Sequence, residues 1–219
     1  MSSFKQFIFQ RFNTLGSLFL IISISLFLLM LRLKLTESFY LLFLVWNLFL
    51  ASVPFFISSY VSLKEVSKIK LLLAFVLWML FVPNAPYIVT DLIHLQNSPK
   101  TLIWYDVVMI STFAATGLYL YFISTKDILR ALSVQFGSKV QKRLGIVIPF
   151  LTGFGIYLGR FLRWNSWDIL QNPTGLAYDI FTILVHPIAN NQAWIVTLGF
   201  GFLLLLGTKI YTQSKVLCR

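Results

Sequence analysis

The stretch LLLAFVLWMLFVPNAPYIVTDLIHL, residues 71–95, decides how the rest of the chain is read. Leu71 to Val82 is apolar and uncharged, yet twelve residues cover only about 18 Å as a helix, short of the roughly 30 Å hydrocarbon layer. Pro83-Asn84-Ala85-Pro86 then breaks the run, so a crossing must borrow residues on both sides. Beyond the break the pattern resumes as a helix. Pro86 suits a first turn with Asn84 or Ala85 near the cap, and Tyr87, Asp91 and His94 fall at i, i+4 and i+7 on one α-helical face. A broken span needs its freed backbone groups satisfied by protein or by a wet cavity, and a half-helix starting there would offer N–H groups and a positive dipole end to an anion.

Outward from this stretch the chain is uniformly apolar. Of 219 residues, 58% are hydrophobic and only 11% charged, which excludes an ordinary water-facing globule. Uncharged or nearly uncharged runs place membrane spans at about 15–31, 39–59, 69–90, 104–125, 144–162 and 194–211. The first has Lys5 and Arg11 before it, as a signal peptide would. However, it is longer than a usual signal core and Arg32-Leu-Lys34 follows in place of a cleavage site, so it reads as a retained anchor. The expected class is all-α, a polytopic helix bundle of about six spans with a Pro-broken third, forming one domain over 1–219. Residues 175–185 are apolar but too short to cross, and predict an interfacial or re-entrant helix ending near His186, before Pro187.

Charge sets the expected orientation. There are 18 Lys and Arg against 7 Asp and Glu, net +11. Only Arg32, Lys34, Lys100, Arg160 and Arg163 lie on the side that holds Asp91 and Asp106; the other basic residues, including Arg11, Lys64, Arg130 and Lys215, share the opposite side. The positive-inside bias puts both termini in the cytoplasm of a cell membrane, and makes the basic balance a matter of topology and anionic lipid instead of nucleic acid. The lone Cys218 excludes an intrachain disulfide.

The unusual polar residues therefore gather at the outer end. The fourth span opens with Trp104-Tyr105-Asp106, and the fifth closes with GIYLGRFLRWNSWD, residues 155–168. Arg160 and Arg163 stand one turn apart, a fork suited to carboxylate or phosphate, and Arg160 is expected at the depth of Asp106 on the antiparallel neighbour, close enough for an ion pair. Gly155 and Gly159 make a small-xxx-small pair that admits a close helix. Candidate binding residues are Asn84, Tyr87, Asp91, His94, Asp106, Arg160, Arg163 and His186, with Asp91 and His94 as a candidate general base and its orienter. No tight metal spacing is present, and neither a metal nor another cofactor is expected. Buried Asn47 is expected to bond across helices.

The strings PNAPYIVTDLIHL (83–95), WYD (104–106) and GIYLGRFLRWNSWDIL (155–170), in this order among six spans, closely resemble the bacterial membrane-protein family called domain of unknown function 1361. The resemblance covers about residues 40–210. It implies a multi-pass membrane protein and marks Asn84, Pro86, Tyr87, Asp91, His94, Trp104, Tyr105, Asp106, Arg160, Arg163 and Asp168 as signature positions, without giving any of them a role. His186-Pro-Ile-Ala-Asn190 is similar to the last motif of the CAAX-protease-like family, but that family's paired glutamates are missing, since Glu37 and Glu65 are the only glutamates. Three functions follow as expectations: binding of an anionic small molecule or lipid head group at the outer end, a scaffold held by an ion-pair network, or an enzyme acting on a lipid-linked substrate.

Overall fold

The computed structural model describes residues 8–9, 11–64 and 66–217. Lys5, Glu65, Cys218, Arg219 and the side chain of Lys215 lie outside the described residues. The fold is all-α: α1 (Phe12–Thr36), α2 (Phe43–Leu63), α3 (Lys68–Phe81), α4 (Asn84–Tyr87), a 3-10 helix (Ile88–Asn97), α5 (Ile103–Phe136), α6 (Ser138–Arg160), α7 (Asp168–Gln171), α8 (Pro173–Val185) and α9 (Asn191–Leu217).

Among the described residues, five helical runs are long and apolar enough to cross a membrane: Phe12–Thr36, Tyr40–Leu63, Lys68–Asn97, Ile103–Phe136 and Asn191–Gln213. Residues 144–162, the sixth expected crossing, are helical almost throughout as α6, whose 23 residues reach about 35 Å. Its glycines, Pro149 and charged ends leave it less apolar than the other five. It runs antiparallel beside α5, starting one residue after α5 ends and returning to place Arg160 against Asp91.

The central element is α5. It packs against α1, α2, the 3-10 helix and α6, and 56% of its apolar window is buried, against 17% for α1 at the periphery. Met109, Ile110, Phe113, Leu120, Tyr121 and Ile128 fill the core from this one helix. Large apolar side chains such as Phe19, Phe49, Ile69 and Phe202 face outward, the arrangement a lipid solvent requires and water penalises.

Two boundaries differ from expectation. The basic stretch 126–143 is not a loop: α5 continues to Phe136, with Ile128 and Leu132 buried at helical spacing, and α6 starts at Ser138. Gly137 alone turns the chain, at φ +87°, a conformation that favours glycine. The expected half-helix start at Pro86 is also absent. Val82, Pro83, Tyr87 and Ile88 all keep right-handed helical angles, so the span bends without fanning out free N–H groups. Around the prolines the carbonyls keep partners: Val82 O accepts from Ala85 N at 3.2 Å, Phe81 O from Asn84 Nδ2 at 3.0 Å and Leu80 O from Ser166 Oγ at 2.8 Å.

Glycines admit this bent segment between two helices. A Cβ on Gly117 of α5 would collide with the Ala85 carbonyl oxygen, and one on Gly155 of α6 would lie 2.5 Å from Pro83 Cγ. The small pair expected to admit a close helix thus receives the proline break itself. Gly117→Ala should destabilise the protein by about 1–3 kcal/mol through overpacking against backbone. Gly199→Ala, which meets only open space within α9, should be neutral or stabilising by up to about 1 kcal/mol. Unfolding curves in detergent that rank the two the other way would contradict this packing.

Candidate functional site

The end of the bundle that holds Asp91 and Asp106 is organised by two buried ion pairs, and they join different partners from those expected. Asp106 is fully buried and is held by Arg32, whose Nε and Nη2 donate to its two carboxylate oxygens at 2.5 and 3.0 Å. Arg160 pairs instead with Asp91, through Nη2 and Oδ1. The expected Arg160–Asp106 pair does not form because the bent third span lies between α5 and α6. It brings Asp91 to Arg160 and leaves Asp106 facing α1.

The 3-10 winding explains how Asp91 and His94 reach the second span. At three residues per turn, positions 88, 91, 94 and 97 stack in one row, replacing the α-helical row of 87, 91 and 94. Ile88 is buried in the core. Asp91 Oδ2 accepts from Asn47 Nδ2 at 2.8 Å, and Tyr40 Oη bonds His94 Nδ1 and accepts from Asn97 Nδ2, both at 2.9 Å. Asn47 thus plays the interhelical role expected of it. Tyr87, off this row, lies beneath Arg160, whose guanidinium carbon sits 4.4 Å from the ring centroid. Thr90 accepts from Arg160 Nε at 2.8 Å and donates to Tyr87 O at 2.6 Å. One arginine thereby joins a carboxylate, a hydroxyl and an aromatic face, with three helical segments in register.

Both Asp91 oxygens are engaged by Arg160 and Asn47, and His94 turns its Nδ1 to Tyr40, with no Asp91–His94 hydrogen bond among the described residues. The remaining candidates separate. Arg163 is not on the helix of Arg160: α6 ends at Arg160, and Arg163 takes the left-handed conformation at φ +61° while Trp164 N donates back to Leu158 O. Arg163 is exposed and makes no ion pair among the described residues, but it lies within electrostatic reach of Tyr87. His186 caps the end of α8, as Pro187 predicts, and is exposed; its carbonyl accepts from Asn190, so the HxxxN string is a local turn. Asp168 accepts from Asn165 N and Nδ2, and Asp179 accepts from Trp164 Nε1 at 2.8 Å. No three of the described His, Cys, Asp and Glu side chains come together as a metal site.

Beside the Asp91–Arg160 pair lies a cavity of about 370 Å³. Leu50, Met79, Leu151, Phe154, Leu176 and Ile180 line its walls; Trp46, Trp164 and Trp167 contribute aromatic rings. Its polar groups are Asn47, Asn84, Tyr87, Asn165 and Ser166. Sequence reasoning missed Arg32, Thr90, Ser166 and Trp164. Arg32 carried one signal, being a cation near the end of a span in a chain with a buried acid at the same depth.

No curated protein and no solved structure matches this chain. The sequence model of one family does match, over residues 46–206, which holds the bent third span, Asp91, Asp106 and Arg160. With most of its length covered by that match, the chain belongs to the family described as protein of unknown function (DUF1361).

Proposed function

We propose that the protein binds an anionic amphiphile, a lipid or lipid-linked molecule, in the cavity between α2, α3, α6 and α8, with the head group outward in the cell membrane and both termini cytoplasmic. The observation that carries this reading is the lining of the 370 Å³ cavity, mostly apolar and aromatic with a few amide, phenol and hydroxyl groups from Asn47, Asn84, Tyr87, Asn165 and Ser166. Arg160 is neutralised by Asp91, so the cation for the head group is Arg163, on the turn that also supplies Trp164, Asn165 and Ser166 to the cavity. The Asp91 and Arg32 pairs then serve as the frame.

The test is native mass spectrometry from nanodiscs containing phosphatidylglycerol and phosphatidylcholine. The wild type should retain phosphatidylglycerol preferentially. Arg163→Gly preserves the left-handed turn while removing the guanidinium, and should reduce retention roughly fivefold, in line with about 1 kcal/mol per basic residue near an anionic surface. Equal retention by both proteins would overturn the role of Arg163, and no retained anionic lipid in the wild type would overturn the proposal. A second reading, a scaffold with a structural ion-pair network, is favoured by the burial of both acids and would then stand alone.

A further inference from the structure

The cavity beside the Asp91–Arg160 pair has one wall unlike the others. α2, α3 and α6 all pack on the central α5, and each contributes buried side chains to the main apolar core. α8 supplies Leu176 and Ile180 to the cavity, yet none of its residues belongs to that core. Its one buried residue, Ile183, joins a smaller cluster with Tyr157 and Ala193. A polar tie adds to this hold. Trp164 Nε1 donates to Asp179 Oδ2 at 2.8 Å, and Trp164, itself a cavity wall, is anchored to α6 by its backbone N–H on Leu158 O.

Helical spacing gives α8 two apolar faces. Leu176, Ile180 and Ile183, at i, i+4 and i+7, turn toward the cavity and the small cluster, while Tyr178, Phe181 and Val185, at i, i+3 and i+7, are exposed on the opposite side. In a bilayer, acyl chains are as apolar as the cavity wall, so swinging α8 off the bundle forfeits packing and the Trp164–Asp179 bond but no hydrophobic free energy. Both ends of α8 are capped locally. Asn172 Oδ1 accepts from Gly175 N at 3.0 Å at the start, and Asn190 Nδ2 donates to His186 O at 3.0 Å in the turn after the end. Asn172 and His186 both leave the helical region, at ψ 65°, and bound this short rod as two joints.

We infer that α8 is a lateral gate: it swings aside as a rigid rod to pass the acyl chains of a membrane lipid between the adjoining leaflet and the cavity, and the Trp164–Asp179 hydrogen bond is its latch. The inference rests on the lipid-binding reading above and adds the route by which the ligand enters. Asp179 is a positioning residue that acts through Trp164.

Thiol labelling of the whole protein in detergent tests the motion, with N-ethylmaleimide as the probe and Ile180→Cys as the reporter; Cys218→Ser removes the native thiol. Adding Asp179→Leu, which deletes the acceptor, should raise the labelling rate at residue 180 roughly tenfold, the weight of one hydrogen bond to a charged group. Asp179→Asn keeps an acceptor and should raise it less. Val185→Cys, on the exposed side of the same helix, should label at one rate whether residue 179 is Asp or Leu. If Asp179→Leu does not fold, Trp164→Phe removes the donor and should accelerate residue 180 in the same way. In nanodiscs, exchange of a chain-labelled fluorescent phosphatidylglycerol from the Asp179→Leu protein should quicken by a similar factor with retention at equilibrium unchanged, since a gate scales entry and exit alike. Equal labelling at residue 180 with and without the latch, or equal acceleration at 180 and 185, which marks an unravelled helix, would overturn the gate. Faster labelling without faster lipid exchange would overturn passage by this route. A wild type that holds no phosphatidylglycerol would instead overturn the lipid-binding reading, and the labelling rates then decide the motion by themselves.

Discussion

Asp106→Ala with Arg32 left in place should lower stability by about 3–5 kcal/mol, because it strands a guanidinium at a site only 8% exposed. Arg32→Met alone should cost as much, since it leaves a fully buried carboxylate without its partner. The double variant Arg32→Met, Asp106→Leu should recover most of that loss, as apolar pairs of similar volume often replace buried ion pairs without penalty. The fraction folded against increasing sodium dodecyl sulfate measures all four proteins. Additive costs in the double variant would mean that the two residues do not form one unit.

Arg160→Ala should have a comparable effect for a different reason. It removes the charge opposite Asp91, the donor to Thr90 and the cation over Tyr87 in one step, leaving Asp91 with Asn47 alone. A loss of about 3–5 kcal/mol is expected, and Asn47→Ala should cost less, about 1.5–3 kcal/mol, as a single hydrogen bond to a charged group. Arg160→Ala and Asp91→Ala should couple strongly. Arg160→Ala and Asp106→Ala share no partner and should add within about 0.5 kcal/mol. Strong coupling between residues 106 and 160 in the same denaturation assay would reinstate the pairing that the sequence suggested and remove the bent span from between their helices.

That mistaken pairing shows where the sequence stops being informative. Spans are legible because hydrophobic length is a local property of Leu15 to Leu31 or Trp104 to Thr125, and the 13-residue α8 is legible from its length and from Pro173 and Pro187. Depth is legible too: Arg32, Asp91, Asp106 and Arg160 do fall at one end of the bundle. Which helix neighbours which is not, since Arg32 and Asp106 are 74 residues apart and nothing in either segment names the other. The sequence alone predicts the α-helical period for the row containing Asp91 and His94, and only the tighter 3-10 winding makes Asn97 its continuation. The glycines at 117 and 155 carried the missing information in part. Gly155 was legible as a packing residue, while the proline break as its partner was not.

The frame and the cavity together make one direct measurement decisive. A phosphatidylglycerol analogue bearing a photoactivatable group on its acyl chain, irradiated with the protein in nanodiscs, marks the residues that the chain contacts. Labels on Leu50, Met79, Leu151 and Phe154 are expected, with loss of those labels in Ile180→Trp, whose larger side chain occupies part of the cavity. Labels confined to outward side chains such as Phe19, Phe49 and Phe202, unchanged by Ile180→Trp, would contradict a lipid-binding cavity and leave the ion pairs as structure alone.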